Sequence, residues 1–86
     1  MKLLRHKFFA KQYKKLDKNK RLLVDEAIFL FVKNPFDKKL RNHQLKGKYS
    51  NCNSIDASFD LRIILIQEEN YATVLLLKVG SHNKLY

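Results

Sequence analysis

Two apolar runs near the end of the chain constrain it more than any other feature. Leu61 to Gln67 reads Leu-Arg-Ile-Ile-Leu-Ile-Gln, and Tyr71 to Val79 reads Tyr-Ala-Thr-Val-Leu-Leu-Leu-Lys-Val. Both have strand length and strand composition, and Glu68-Glu69-Asn70 between them reads as a turn. They predict an antiparallel hairpin ended by Gly80. Apolar residues at nearly every position mean that both faces are covered, by the rest of the domain or, on one face, by a partner. With 86 residues, the chain is one domain with a modest core.

The remaining elements must supply that cover. Lys2 to His6 reads as a short charged edge strand, with His6 an exposed member of it. From Lys7 to Leu16 the period is helical, with Phe9, Tyr13 and Leu16 on one face and Phe8 at its border. Lys20 to Lys33 is a second helix, entered through Asp17 or Asn19 as N-cap and stopped by Asn34-Pro35. Its expected core face is Leu23, Ala27, Leu30 and Phe31, widened by Leu22 and Phe29. A connection this short predicts an antiparallel helix hairpin. Phe36 to Tyr49 has no clean period and contains Gly47 as a turn residue; long connections of this kind are often functional. Cys52 to Ser58 alternates as a weak strand. The order β-α-α-β-β-β, helices first and meander after, predicts an α+β fold in which the helix pair covers one face of an antiparallel sheet.

Charge narrows the partners. The chain carries +10, with fifteen of its eighteen Lys and Arg but only four of its eight carboxylates in residues 1–48. That half stands at +11 and residues 49–86 at −1. Such a field draws in polyanions: nucleic acid, an acidic protein or an anionic membrane. Lone Cys52 excludes an internal disulfide and suits a reducing compartment, where it serves as a small strand residue. No stretch has the ~20 apolar residues of a membrane span, and no apolar signal region follows Met1. The expectation is a soluble, cytoplasmic protein.

Chemistry-bearing residues collect where the hairpin returns. Asp56, Asp60 and Arg62 fall within seven residues, and Gly80-Ser81-His82-Asn83-Lys84-Leu85-Tyr86 closes the chain. Antiparallel pairing sets Asp60-Leu61-Arg62 beside Lys78, Gly80 and His82, and Leu40-Arg41-Asn42-His43 joins from the preceding loop. Asp60 and Arg62 share a face if the strand is regular there. RNA brings its own nucleophile, the 2′-hydroxyl. Its cleavage needs a base, an acid and a cation for the charged phosphorane. Histidine serves as acid or base near neutral pH, a carboxylate as base or orienter, and Arg62 offers a fork matched to phosphate. Lys38, Lys39, Arg41, Lys46, Lys48, Lys78 and Lys84 are candidate RNA-backbone contacts, and Tyr86 a base-stacking ring. Structural readings stand beside these: Asp60 pairing with Arg62 or capping a turn, His82 a surface residue. A metal site from His43, Asp56, Asp60 and His82 has no Cys/His spacing behind it. Neither a P-loop, a dinucleotide glycine pattern nor a nucleophilic serine motif is present.

At these residues the chain resembles the YafQ-like branch of the RelE/ParE superfamily, the bacterial toxins of type II toxin–antitoxin pairs. The resemblance covers nearly the whole chain: Tyr13-Lys14-Lys15-Leu16, the helix end at Asn34-Pro35-Phe36-Asp37, Leu40 to Tyr49 with its Leu-x-x-His-x-Leu-x-Gly pattern, Asp60-Leu61-Arg62, and the closing Gly-Ser-His-x-x-Leu-aromatic. It implies a microbial-RNase-like fold that cuts mRNA on the translating ribosome without metal or other cofactor. It implies His43 as a loop acid/base or phosphate ligand, Asp60 as a catalytic carboxylate, His82 as the principal acid/base, and Tyr86 at the terminal aromatic position. Arg62 matches an arginine often found in the wider superfamily, and transition-state charge stabilisation is the role assigned to it. Where close relatives often carry a further histidine, this chain has Asp56; Asp titrates near ~4 and His near ~6.5, so Asp56 is a base or orienter, not an acid. The resemblance also implies an acidic antitoxin that folds over the toxin, which with ribosomal RNA accounts for the basic half. Three other readings remain at this level: a ParE-like gyrase poison, a basic RNA-binding module without catalysis, and a relative whose site has decayed.

Overall fold

The computed structural model describes residues 1–85; Tyr86 lies outside the described residues. Its elements are β1 (Lys2–Arg5), α1 (Lys7–Lys15), α2 (Lys18–Lys33), β2 (His43–Gln44), β3 (Asn53–Ser58), β4 (Leu61–Glu68), β5 (Thr73–Gly80) and α3 (His82–Leu85), with 3-10 turns at Lys38–Leu40 and Gly47–Tyr49. One five-stranded sheet runs in the order β1-β5-β4-β3-β2. The α+β architecture, the helix pair and the edge position of β1 are as expected. The sheet differs in one respect: it is mixed, because β1 pairs parallel to β5. β1 runs straight into α1 and takes the free edge beside β5, the last strand of the meander, in the same direction.

Local chemistry sets the helix ends. His6 is no ordinary strand residue: its Nδ1 accepts from the Phe8 N–H at 3.1 Å and caps α1. Asp17 caps α2, its Oδ1 accepting from the Lys20 N–H at 2.9 Å. The helices are tied by the Arg21 guanidinium donating to the Leu16 carbonyl and the Tyr13 hydroxyl donating to Asp25. That last bond raises the Tyr13 phenol above its ordinary range. The α2 core face also differs from expectation. Val24, Ala27 and Phe31 are buried, whereas Leu22, Leu23 and Phe29 are exposed. Apolar residues surround most of this helix, so periodicity alone cannot select the inward face.

Two clusters sandwich the sheet. On the helix side Phe9, Val24, Phe31, Leu40, Ile55, Leu61, Ile63, Leu65, Val74, Leu76 and Val79 form the main core. On the other side Cys52, Ile64 and Leu85 are buried, with Leu45, Tyr49, Ile66 and Leu77 against them. The hairpin is thus covered on both faces, the second time by its own long loop and by α3. Burial in this second cluster pushes the Cys52 thiol up. The hairpin turn is tighter than a plain loop: Glu69, Asn70 and Tyr71 all have positive φ, a conformation that costs L-residues energy. Tyr71, expected in the strand, stands in this turn. Its N–H donates to Gln67 Oε1 at 2.9 Å, and its ring meets Phe31 and Phe36 edge-on.

Candidate active site

The site stands at the end of the sheet where β3 and β5 finish and β4 begins, beside a groove that α2 also lines. Directly opposed residues of an antiparallel sheet share a face. One row across the strands is Asp56, Arg62 and Gly80; the neighbouring row is His43, Ser54, Ile64 and Lys78. Ala57 is left unpaired by a bulge between Asp56 and Ser58. Bulges re-aim side chains and close off pairing.

Asp56 is the hub. Its Oδ1 lies 3.3 Å from Arg62 Nη1 and its Oδ2 lies 3.7 Å from Arg41 Nε. Arg62 and Asp56 are mostly buried, with side chains 22% and 14% exposed, whereas Arg41 is 75% exposed. Arg62 Nη1 also donates to the Phe59 carbonyl at 3.4 Å. Asp60 is not on β4 but in the exposed two-residue turn Phe59–Asp60. The carboxylate paired with Arg62 is therefore Asp56, and Asp60 lines the groove beside them.

The long loop delivers the other groups. Arg41 closes the Lys38–Leu40 turn in the left-handed conformation, φ 48° and ψ 45°. That reversal aims its guanidinium at Asp56 and its carbonyl at His43 Nδ1, 2.8 Å away. A carbonyl only accepts, so Nδ1 carries the proton and the neutral ring keeps its lone pair on Nε2. Asn42 anchors the loop. Its Nδ2 donates to the Pro35 carbonyl and the Tyr71 hydroxyl, and its Oδ1 accepts from Asn53 Nδ2, all at 3.0–3.1 Å. His82 opens α3 two residues past Gly80, the residue opposite Arg62, and is exposed. The buried Leu85 folds α3 back over the Cys52–Ile64 cluster.

The expected backbone contacts divide among several places. Lys39 and Arg41 line the groove at Asp56. Lys48 and Lys78 lie over the Tyr49 ring, 5.3 and 5.6 Å from its centroid. Lys84 lines a second cavity, ≈ 400 Å³, together with Lys15, Lys20, Asp60 and Ser81. Lys38 and Lys46 are exposed at the 3-10 turns. Tyr86 lies outside the described residues. Sequence reasoning passed over three residues here: Asn42, Tyr49 and Phe59. Phe59 carried a signal, since an aromatic between Ser58 and Asp60 in a turn has no core to enter. Ser54, opposite His43, is fully buried, and among the described residues its Oγ finds no hydrogen-bond partner. Among the described residues no three or more His, Cys, Asp or Glu side chains converge as a metal site, and no helix is long and apolar enough to cross a membrane.

Comparison with known proteins agrees with the fold. Among solved structures, a copper-bound mutant toxin from Helicobacter pylori is 26% identical with a TM-score of 0.76, over 100% of this chain and 99% of that one. YafQ from E. coli is 16% identical with a TM-score of 0.79, over 98% and 96%. YafQ in the E. coli DinJ–YafQ toxin–antitoxin complex is 17% identical with a TM-score of 0.72, over 98% and 94%. Among curated proteins no sequence match is found. The family model described as bacterial toxin of type II toxin–antitoxin system, YafQ, matches residues 1–86. The chain belongs to the YafQ family of type II toxin–antitoxin toxins.

Proposed function

We propose that this toxin is an endoribonuclease that cleaves mRNA on the translating ribosome, with the RNA 2′-hydroxyl as nucleophile. The observation that carries the reading is the Asp56-centred pair of guanidinium groups, with His43 presented beside it in a fixed tautomer. His43 Nε2 accepts the 2′-hydroxyl proton. The oxygen attacks the adjacent phosphorus, and Arg62 and Arg41 neutralise the charge that builds on the phosphorane. His82 gives its proton to the departing 5′-oxygen. Asp56 holds the two arginines, and Asp60 at the groove mouth orients the incoming hydroxyl or the imidazole. Base, acid and cation all come from side chains. Lys78, Lys84 and Lys48 supply backbone contacts, and Lys38 and Lys46 widen the basic rim.

The lysines of α1 and α2, of which Lys15 and Lys20 share a cavity with Lys84, suit ribosomal RNA. An action on translated mRNA is an action in the cytoplasm. An acidic antitoxin is the matching protein partner. The exposed apolar Leu22 and Val32 among the α2 lysines suit such a segment, and a bound antitoxin stabilises a small domain by mass action. The test is primer extension on a translated mRNA, with and without ribosomes, for the wild type and His82→Ala. Cuts by the wild type alone, and only with ribosomes, are expected; identical cuts by both proteins would remove His82 from the mechanism.

A further inference from the structure

Phe59 is 96% exposed, the largest value among the exposed apolar side chains. A lone exposed aromatic is unremarkable, but this one lines a groove of ≈ 730 Å³ that also contains Asp56, Arg62 and Arg41. That volume is in the range of small-molecule sites, ~300–1,000 Å³. Its other wall is largely apolar, Leu23, Ala27, Phe29 and Leu30 of α2 with Leu40 behind, and also carries the Glu26 carboxylate. The turn that carries Phe59 is tied to the site, because its carbonyl accepts from Arg62. One guanidinium therefore both pairs with Asp56 and fixes the ring's support.

We propose that this groove is a nucleobase subsite and that Phe59 is its stacking platform. The inference rests on the ribonuclease reading and specifies how the substrate is held. A base beside the scissile phosphate enters the groove with one face on the Phe59 ring and its far edge toward Leu23 and Leu30. Arg41 and Lys39 at the lip meet the adjoining phosphate. An aromatic ring beside cations is the recognition chemistry of single-stranded RNA, where bases are unstacked from one another and restacked on protein. An apolar peptide also fits an apolar wall. The base is favoured because the cations of the groove are those of the Asp56 hub, so what the hub acts on must pass along it.

The experiment uses RNA oligonucleotides with a 2′-deoxy residue at the mapped cleavage position, which blocks cutting, and 2-aminopurine on either side of it. The full chain, Phe59→Ala and Phe59→Tyr are titrated into each, following fluorescence and affinity. Wild type should quench one of the two probe positions. Phe59→Ala should lose the quenching and bind about 5- to 150-fold more weakly, and Phe59→Tyr should restore both. The side chain is almost wholly in water, so melting temperatures should agree across the three proteins. Unchanged quenching and affinity in Phe59→Ala, with wild type still cleaving mRNA, would overturn the subsite alone. Loss of antitoxin binding with RNA binding intact would reassign the groove to a protein partner. A wild type that neither binds nor cuts RNA would overturn the ribonuclease reading and the subsite together.

Discussion

At Asp56 the nearest charges are both positive, and its carboxylate is spanned by Arg62 on one oxygen and Arg41 on the other. A carboxylate so engaged is better placed to hold two guanidinium groups than to take a proton from substrate. This separates the two roles left open in the sequence, base or orienter, by a measurable difference. Asp56→Asn keeps an acceptor for an arginine and should lower the single-turnover cleavage rate about tenfold, whereas Asp56→Ala frees both arginines and should cost about 100-fold or more. If Asp56 were the base, the amide would be as damaging as the alanine. The residue types of the site were legible because acid/base groups and arginine are few in the second half of the chain. Their pairing was not. Asp60 and Arg62 share a face only on a regular strand, but the turn takes Asp60 out of β4 and the bulge at Ala57 delivers Asp56 instead.

Among the elements, the loop between α2 and β3 departs furthest from its sequence. Without a hydrophobic period it reads as irregular, yet it contains β2 and two 3-10 turns and is pinned by a side chain. Asn42 joins Pro35, Tyr71 and Asn53, contacts 7 to 29 residues apart in sequence. No local rule reports a hydrogen bond of that span. The hairpin and both helices were legible from period and composition, because burial on a sheet or a core leaves a local pattern. The inward face of α2 was not, since it is apolar on most sides. The anchoring role of Asn42 predicts that Asn42→Ala lowers stability by about 1–2 kcal/mol. For a domain of this size that is a melting-temperature drop of about 4–16 °C. Cleavage should fall with it at temperatures where the protein remains folded, because Arg41 and His43 ride on the loop. Calorimetry and a cleavage assay on the same samples check this. A lower melting temperature with full activity would mean the loop holds its shape without Asn42.

For the whole molecule, the fold spreads the cations around the sheet. Lysines of α1 and α2 stand on the helical layer and Lys48 and Lys78 flank Tyr49 on the other face, while Lys15 and Lys20 meet Lys84 around one cavity and Arg41 and Arg62 line the groove beside α2. The helical layer suits a large RNA surface and the groove a single strand at a reacting phosphate. The excess charge was plain in the sequence, but its distribution was not, because it depends on the loop crossing behind the sheet. On the proposed reading, the site beside this groove makes the RNA cut itself. The direct measurement is the chemistry of the ends produced from a translated mRNA by the wild type and by Arg62→Ala. Attack by the 2′-hydroxyl predicts a 2′,3′-cyclic phosphate on the upstream fragment and a 5′-hydroxyl on the downstream one, with the rate lowered about 100- to 1,000-fold in Arg62→Ala. Upstream 3′-hydroxyl and downstream 5′-phosphate ends, or equal rates from the two proteins, would contradict it.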